Sequence, residues 1–177
     1  MSYTGERMLL SSQREGQVSR FRPWAFFVAP LAAILFQVYV PIFFQFLKFL
    51  EMPLLVVVYF AIMRRNQISG LMIGALVGLA QDSLTNKPLG MYGITNTLVG
   101  YFAASVGVRL DVEHSFIRFL LGFFFFVFHQ FFYWVMSRAL LGLVLRFDWQ
   151  GTLMSGLLNA VVGVALFHLL DKLKEPA

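Results

Sequence analysis

The 177-residue chain contains no cysteine and only three histidines. The lack of cysteine excludes disulfide frameworks, thiolate metal sites and cysteine nucleophiles. His114, His129 and His168 are far apart in sequence and do not have the spacing of metal ligands. The composition therefore predicts neither a metal site nor a bound cofactor.

Charge is also scarce. Charged residues make up 13% of the chain, about half of the ~25% that is usual in soluble domains. Apolar residues make up 59%. A compact protein of this length keeps a large surface and cannot hide so many apolar side chains in its own interior. We therefore predict an integral membrane protein, and we exclude a soluble enzyme and a disordered chain.

The net charge of +5 does not indicate nucleic-acid binding. A nucleic-acid site would cluster basic and aromatic residues in a polar domain, whereas here the basic residues stand between apolar runs. Lysine and arginine in such positions orient a protein in the bilayer. Membrane lipids are therefore an expected partner, and nucleic acid is not.

Apolar runs separated by short polar breaks predict a compact all-α bundle of about six transmembrane helices. We expect a cytoplasmic tail at 1–22, the transmembrane domain at 23–171 and a second cytoplasmic tail at 172–177. The second and third helices are shorter than the ~20 residues that usually span a bilayer, so five spans are the alternative. The predicted helices, the first of them bent near Pro41, cover 24–47, 52–63, 68–82, 89–108, 116–137 and 149–170.

The positive charges predict the orientation. With the N-terminus inside, ten of the 14 lysines and arginines fall on the inner side and four on the outer side. Cytoplasmic loops carry such an excess, so both termini are expected in the cytoplasm. The inner set is Arg7, Arg14, Arg20, Arg22, Arg64, Arg65, Arg109, Arg118, Lys172 and Lys174, and the outer set is Lys48, Lys87, Arg138 and Arg146.

Small residues recur at helical spacing in three predicted helices. Such stripes let helices approach closely in lipid. We interpret them as packing within the bundle, with a partner's helix on one stripe as the alternative. The stripes are Gly70, Gly74 and Gly78 in the third helix, Gly93, Thr97, Gly100, Ala104 and Gly107 in the fourth, and Gly151, Ser155, Asn159 and Gly163 in the sixth.

The fifth helix is rich in aromatic rings instead, among them the run at 123–126. We interpret it as a lipid-facing helix, and a partner surface is the alternative. Two polar residues within predicted spans, His129 and Asn159, are expected to make hydrogen bonds between helices.

The most informative stretch is 74–101, which joins the third and fourth helices. Asp82 ends the third helix, where a carboxylate is unfavourable beside the negative end of the helix dipole. It becomes favourable if it folds onto the free N–H groups at the start of the fourth helix. We therefore predict that Asp82 caps a helical hairpin on the outer side, with Lys87 as its local counter-charge.

This stretch resembles the signature region of the rod shape-determining protein MreD family. That family has a glycine-bearing helix ending in Gly-Leu-x-x-Asp, then a turn, Leu-Gly, and a helix closing on Gly-Tyr. The segment at 53–60 and the last helix, which carries Asn159, are also similar to the family. The matching signature positions are Gly74, Gly78, Leu79, Asp82, Pro88, Leu89, Gly90, Gly100 and Tyr101.

The resemblance implies a non-catalytic inner-membrane component of the bacterial cell-elongation machinery. It implies binding to the single-pass protein MreC, and through it links to MreB, RodA and a class B penicillin-binding protein, which build lateral peptidoglycan. It also implies a fold similar to the substrate-binding components of energy-coupling vitamin transporters. It carries over no catalytic residue.

Two other functions stay open. A transporter component would bind a vitamin or a lipid-like ligand in a cavity with convergent polar groups. A membrane enzyme would need paired carboxylates or a nucleophile beside a base. The sequence places no base near Glu51, Asp82 or Asp148, the acidic residues predicted on the outer side.

Overall fold

The computed structural model describes residues 22, 24–85, 88–144 and 146–174. Within these ranges the chain forms six α-helices and one short 3₁₀ helix, and it forms no strand. The predicted tails lie outside the described residues except for Arg22 and 172–174. The elements are α1 (Ala25–Phe43), the 3₁₀ helix (Gln45–Phe49), α2 (Met52–Arg64), α3 (Gln67–Leu84), α4 (Met91–Gly107), α5 (Ser115–Leu141) and α6 (Trp149–Asp171).

Three of these helices, α1, α5 and α6, are long and apolar enough to cross a bilayer. They have 19, 27 and 23 residues. Helix α2 has only 13 residues, which corresponds to about 20 Å at the usual rise per residue. That length falls short of the ~30 Å hydrocarbon core of a bilayer. By length and composition, the described helices therefore include three candidate spans.

The position of α2 explains its unbroken apolar sequence. It contacts each of the other five helices, and every residue from Pro53 to Met63 is buried. A helix that is hydrophobic all round is a core helix. Helix α2 therefore forms the centre of the bundle, and the lipid-facing surface belongs to its neighbours.

The first helix ends earlier than the sequence predicts. Helix α1 stops at Phe43 and not at Leu47, because Phe44 leaves the helical region of backbone space. The bend expected near Pro41 is thus close to the end of the helix. Proline removes a backbone N–H from the helical ladder. The chain then turns back through the 3₁₀ helix, which includes Lys48, where a simple break was expected.

The aromatic helix α5 is only partly lipid-facing. Phe124 and Phe131 are exposed, but Phe125 and Phe126 are fully buried. The purely lipid-facing interpretation is therefore wrong for these two rings. They lie on the side of α5 that packs within the bundle, where α5 contacts α6 and α2.

The helices run antiparallel between two ends of different charge. The basic end joins the start of α1, α3 and α5 to the end of α2, α4 and α6. Among the described residues it carries seven basic side chains and three acidic ones, and the opposite end carries three of each. The basic end has Arg22, Arg64, Arg65, Arg109, Arg118, Lys172, Lys174, Asp111, Glu113 and Asp171, and the opposite end has Lys48, Arg138, Arg146, Glu51, Asp82 and Asp148.

Candidate functional site

The turn between α3 and α4 is closed by Asp82. Its buried carboxylate accepts hydrogen bonds from the backbone N–H groups of Gly90 at 2.9 Å, Tyr92 at 3.1 Å and Gly93 at 2.9 Å. These groups lie at the start of α4, where N–H groups have no partner within the helix. The cap that the sequence predicts is therefore confirmed. The counter-charge assigned to Lys87 lies outside the described residues.

Gly90 allows the chain to enter α4 at this angle. Its φ is 94°, and it stands as the N-cap residue of α4. Residues with a Cβ atom adopt such a conformation at a cost, whereas glycine adopts it readily. A Cβ atom at Gly90 would meet no other atom within 4 Å, so the requirement for glycine here comes from the backbone alone.

The glycines of α3 lie directly against the backbone of α4. A Cβ atom on Gly70, Gly74 or Gly78 would overlap a backbone carbonyl of α4. The carbonyl belongs to Gly100 opposite Gly70 and to Asn96 opposite Gly74. Packing within the bundle therefore accounts for this stripe, as expected for close helix contacts in lipid.

The surface of the same hairpin has an apolar groove with a volume of about 330 Å³. It lies next to the capped turn and is lined by residues of both helices, including Ala75 and Leu79 from α3 and Gly93, Ile94 and Thr97 from α4. Only apolar side chains and one threonine hydroxyl line these walls. That hydroxyl already donates to the carbonyl of Gly93 at 2.6 Å.

A buried carboxylate, Glu51, lies beside the hairpin at the start of α2. Its side chain is only 7% exposed. It accepts a hydrogen bond from Gln37 of α1 at 2.6 Å and a longer one from Gln81 of α3 at 3.4 Å. The hydroxyl of Tyr92 in α4 lies 3.5 Å from its other oxygen. Glu51 thus joins three helices through a single carboxylate.

The amides around Glu51 have a defined orientation. Gln37 and Gln81 both turn their NH₂ groups towards the same oxygen of its side chain. The carbonyl oxygen of Gln81 then faces away and accepts from Asn96 at 3.3 Å. A chain of polar side chains consequently runs from α1 to α4 through the interior.

Asn159 connects the last helix to the same place. Its carbonyl oxygen accepts the backbone N–H of Glu51 at 2.8 Å, and its NH₂ group donates to the backbone carbonyl of Phe49 at 2.7 Å. The expected role of Asn159 in joining distant segments is confirmed, and its partners belong to the connection between α1 and α2. We call Glu51, Gln37, Gln81, Tyr92, Asn96 and Asn159 the Glu51 centre.

Aromatic rings of α4 and α5 border the Glu51 centre. The ring of His129 stacks on that of Tyr92 with 5.7 Å between centroids, and Tyr133 lies 5.2 Å from Tyr92. Our expectation that no base lies near the acidic residues was therefore incomplete, because α5 brings a histidine against the tyrosine that reaches Glu51. No sequence signal pointed to it, since the three residues are far apart in the chain.

The remaining signature residues lie in different places. Gly100 packs against Gly70 near the end of the hairpin away from its turn, and Pro88 and Leu89 are exposed at the turn. Tyr101 is partly exposed and contacts the ring of Phe102. The signature therefore consists of packing positions, a capped turn and one residue of the Glu51 centre.

A second polar cluster closes the basic end. Arg118 is almost completely buried, and it donates to the carboxylate of Asp171 at 2.6 Å and to the backbone carbonyl of Val112 at 2.8 Å. Asp171 also accepts from the hydroxyl of Tyr59 at 2.8 Å and pairs with Lys174 at 2.7 Å. This cluster holds α2, α5 and α6 together.

Comparison with known families supplies an identity for this bundle. Residues 18–173 match the family described as rod shape-determining protein MreD. The chain belongs to the MreD family. Comparison with curated proteins and with solved structures found no match. The match covers all six helices, and MreD is a membrane family of cell-shape determinants. We therefore assign this MreD family member to the bacterial inner membrane.

Proposed function

We propose that this MreD family protein is a non-catalytic scaffold of the bacterial cell-elongation machinery. It would bind the transmembrane helix of MreC and so join MreB, RodA and a class B penicillin-binding protein in lateral peptidoglycan synthesis. The family match over residues 18–173 carries this proposal. The described helices add support, because their connections are too short to contain a soluble domain.

We further propose that the signature residues act by shaping the hairpin and the bundle. Asp82 and Gly90 fix the turn, and Gly74, Gly78 and Gly100 set the close approach of α3 and α4. Asn159 ties α6 to the start of α2. A scaffold of this kind presents a fixed surface to a partner helix, which lowers the entropic cost of binding.

For the orientation, we propose that the basic end faces the cytoplasm. We also propose that six helices cross the membrane and that both termini lie inside the cell. The excess of basic side chains at this end among the described residues supports that assignment. Cysteines introduced one at a time at Arg109 and Arg146, which lie at opposite ends, test it in intact cells. An impermeant thiol reagent should label the second and not the first.

The test of function is depletion of the native MreD in a rod-shaped host that expresses this chain. The expected result is rod shape with normal sidewall synthesis and recovery of MreC when the protein is purified in mild detergent. Rounded cells despite normal expression, or purification without MreC, would contradict the scaffold. Mass spectrometry of the same preparation would reveal any bound small molecule.

We also propose a fold similar to that of the substrate-binding components of vitamin transporters. This similarity gives a second prediction for the detergent-purified protein. If it extended to function, a vitamin would co-purify and would raise the melting temperature. We expect no such shift, because the hairpin groove is lined by apolar side chains and its threonine hydroxyl is already bonded.

A further inference from the structure

Arg64 ends the central helix α2 in an unusual setting. Its guanidinium lies over the ring of Phe26, 4.7 Å from the ring centroid. That ring in turn packs on Phe60 with 4.8 Å between centroids. Stacking on an aromatic face attracts a guanidinium and also removes water from one side of it. Arg64 is therefore a partly desolvated cation held between the start of α1 and the end of α2.

The donors of this cation are not used up within the bundle. In the part of the chain that the structure describes, the Nε atom of Arg64 is buried and has no hydrogen-bond partner. Placing a charged donor away from water without a partner is costly. Among the described residues, the ion pairs join Asp171 to Arg118 and to Lys174, and neither of them involves Arg64. The described residues therefore give the half-buried guanidinium of Arg64 no anionic partner.

The local backbone favours an anion at this position. Helix α3 begins at Gln67, three residues after Arg64 in the chain, so the positive end of its dipole follows closely on the end of α2. Arg22 comes just before α1, and its backbone carbonyl accepts from the N–H of Ala25 at 2.9 Å. Basic residues therefore stand at both segments that meet through Arg64 and Phe26, the start of α1 and the end of α2.

The apolar side chains at the start of α1 and of α3 are suited to lipid. Trp24 is 46% exposed, Phe27 is 77% exposed and Ile68 is 75% exposed. Tryptophan is enriched where the bilayer meets water, and arginine reaches from a helix end to that level. The site therefore combines a guanidinium at a helix end with exposed apolar side chains in the adjoining segments.

We propose that Arg64, together with Arg22 and Trp24 just before the adjoining start of α1, binds the phosphate of an anionic phospholipid, whose acyl chains lie along the exposed face of α1. This goes beyond the scaffold function and does not depend on it. The charge complementarity between a guanidinium without an ion-pair partner and a head-group phosphate selects the lipid, and the exposed apolar side chains nearby distinguish a phospholipid from a free phosphate ion.

Native mass spectrometry of the purified full chain tests this site with two lipids of the same acyl chains, phosphatidylglycerol and phosphatidylcholine. We expect the wild-type protein to retain phosphatidylglycerol in preference to phosphatidylcholine. In Arg64→Gln the ratio of the two retained lipids should fall about fivefold, the factor that one basic side chain near an anionic surface contributes. Lys172→Gln, an exposed basic residue of the same end, should lose less.

Three results would overturn the proposal. The first is equal retention of the two lipids by the wild type. The second is an unchanged lipid preference in Arg64→Gln. The third is retention of soluble glycerol phosphate to the same extent as phosphatidylglycerol, which would indicate a free-anion site. If Arg64→Gln does not fold, Arg64→Met takes its place, because it removes the charge and keeps a long side chain that can pack on Phe26. An unchanged lipid preference in Arg64→Met would also reject this site.

Discussion

Replacing Asp82 with alanine should destabilise the bundle strongly. The carboxylate accepts three backbone hydrogen bonds, from Gly90, Tyr92 and Gly93, and it is 1% exposed. A hydrogen bond to a charged group contributes about 1.5–3 kcal/mol, and bonds that share one acceptor group are not additive. Since the freed N–H groups of Tyr92 and Gly93 are buried, we expect a loss of about 3–5 kcal/mol in the free energy of unfolding.

Asparagine at the same position should be less harmful. One oxygen of Asp82 accepts from both Gly90 and Gly93, and the other accepts from Tyr92. An asparagine carbonyl can replace the first oxygen, while its NH₂ group would face the N–H of Tyr92. Two of three hydrogen bonds survive, so we expect a loss of about 1–2 kcal/mol.

The matched control is Asp148→Ala. Asp148 also caps a helix, α6, but it is exposed and accepts a single hydrogen bond from Gly151 at 3.0 Å. Loss of an ordinary cap costs about 1 kcal/mol. Equilibrium unfolding in mixed micelles with increasing SDS, followed by circular dichroism, gives all three values. The reasoning fails if Asp82→Ala is no worse than Asp148→Ala, or if Asp82→Asn equals Asp82→Ala.

Three further pairs of variants can be measured in the same assay. Gly74→Ala drives a Cβ atom into the backbone of α4 and should cost about 2–3 kcal/mol, whereas Gly163→Ala meets a flexible leucine and should cost under about 1 kcal/mol. Arg118→Gln breaks a buried ion pair and should cost about 3 kcal/mol, against less than about 1 kcal/mol for Lys174→Gln. Glu51→Leu should cost about 3 kcal/mol and Glu51→Gln less, because glutamine keeps one acceptor. Equal losses of stability within any of these pairs would contradict the role assigned to the first residue of that pair.

The capped hairpin was predictable because its partners are close in sequence. Asp82 and Gly90 are eight residues apart, and a carboxylate at the wrong end of one helix has an obvious alternative at the start of the next. The glycine stripe of α3 was predictable for a similar reason, since a spacing of four marks one face of a helix.

The Glu51 centre was not predictable. Glu51 stands in what reads as a polar break, and its partners Gln37, Gln81 and Tyr92 are 14, 30 and 41 residues away. Asn159 is 108 residues away. Only the three-dimensional packing around α2 brings these side chains together. The same packing explains why this 13-residue apolar helix forms the core of the bundle.

The two kinds of contact in the hairpin have different physical roles. Glycines spaced by four allow α3 to approach α4. A shift of α3 along α4 by one helical turn would bring Gly70 to the position that Gly74 occupies now and would preserve much of that contact. Polar contacts do not tolerate such a slide, because each leaves a buried group unpaired. The bonds of Asp82 to Gly90 and of Gln81 to Asn96 are satisfied in one register only. Apolar side chains make contacts with lipid that are nearly as favourable as their contacts within the bundle. These buried polar groups therefore select one arrangement among those that glycine packing permits.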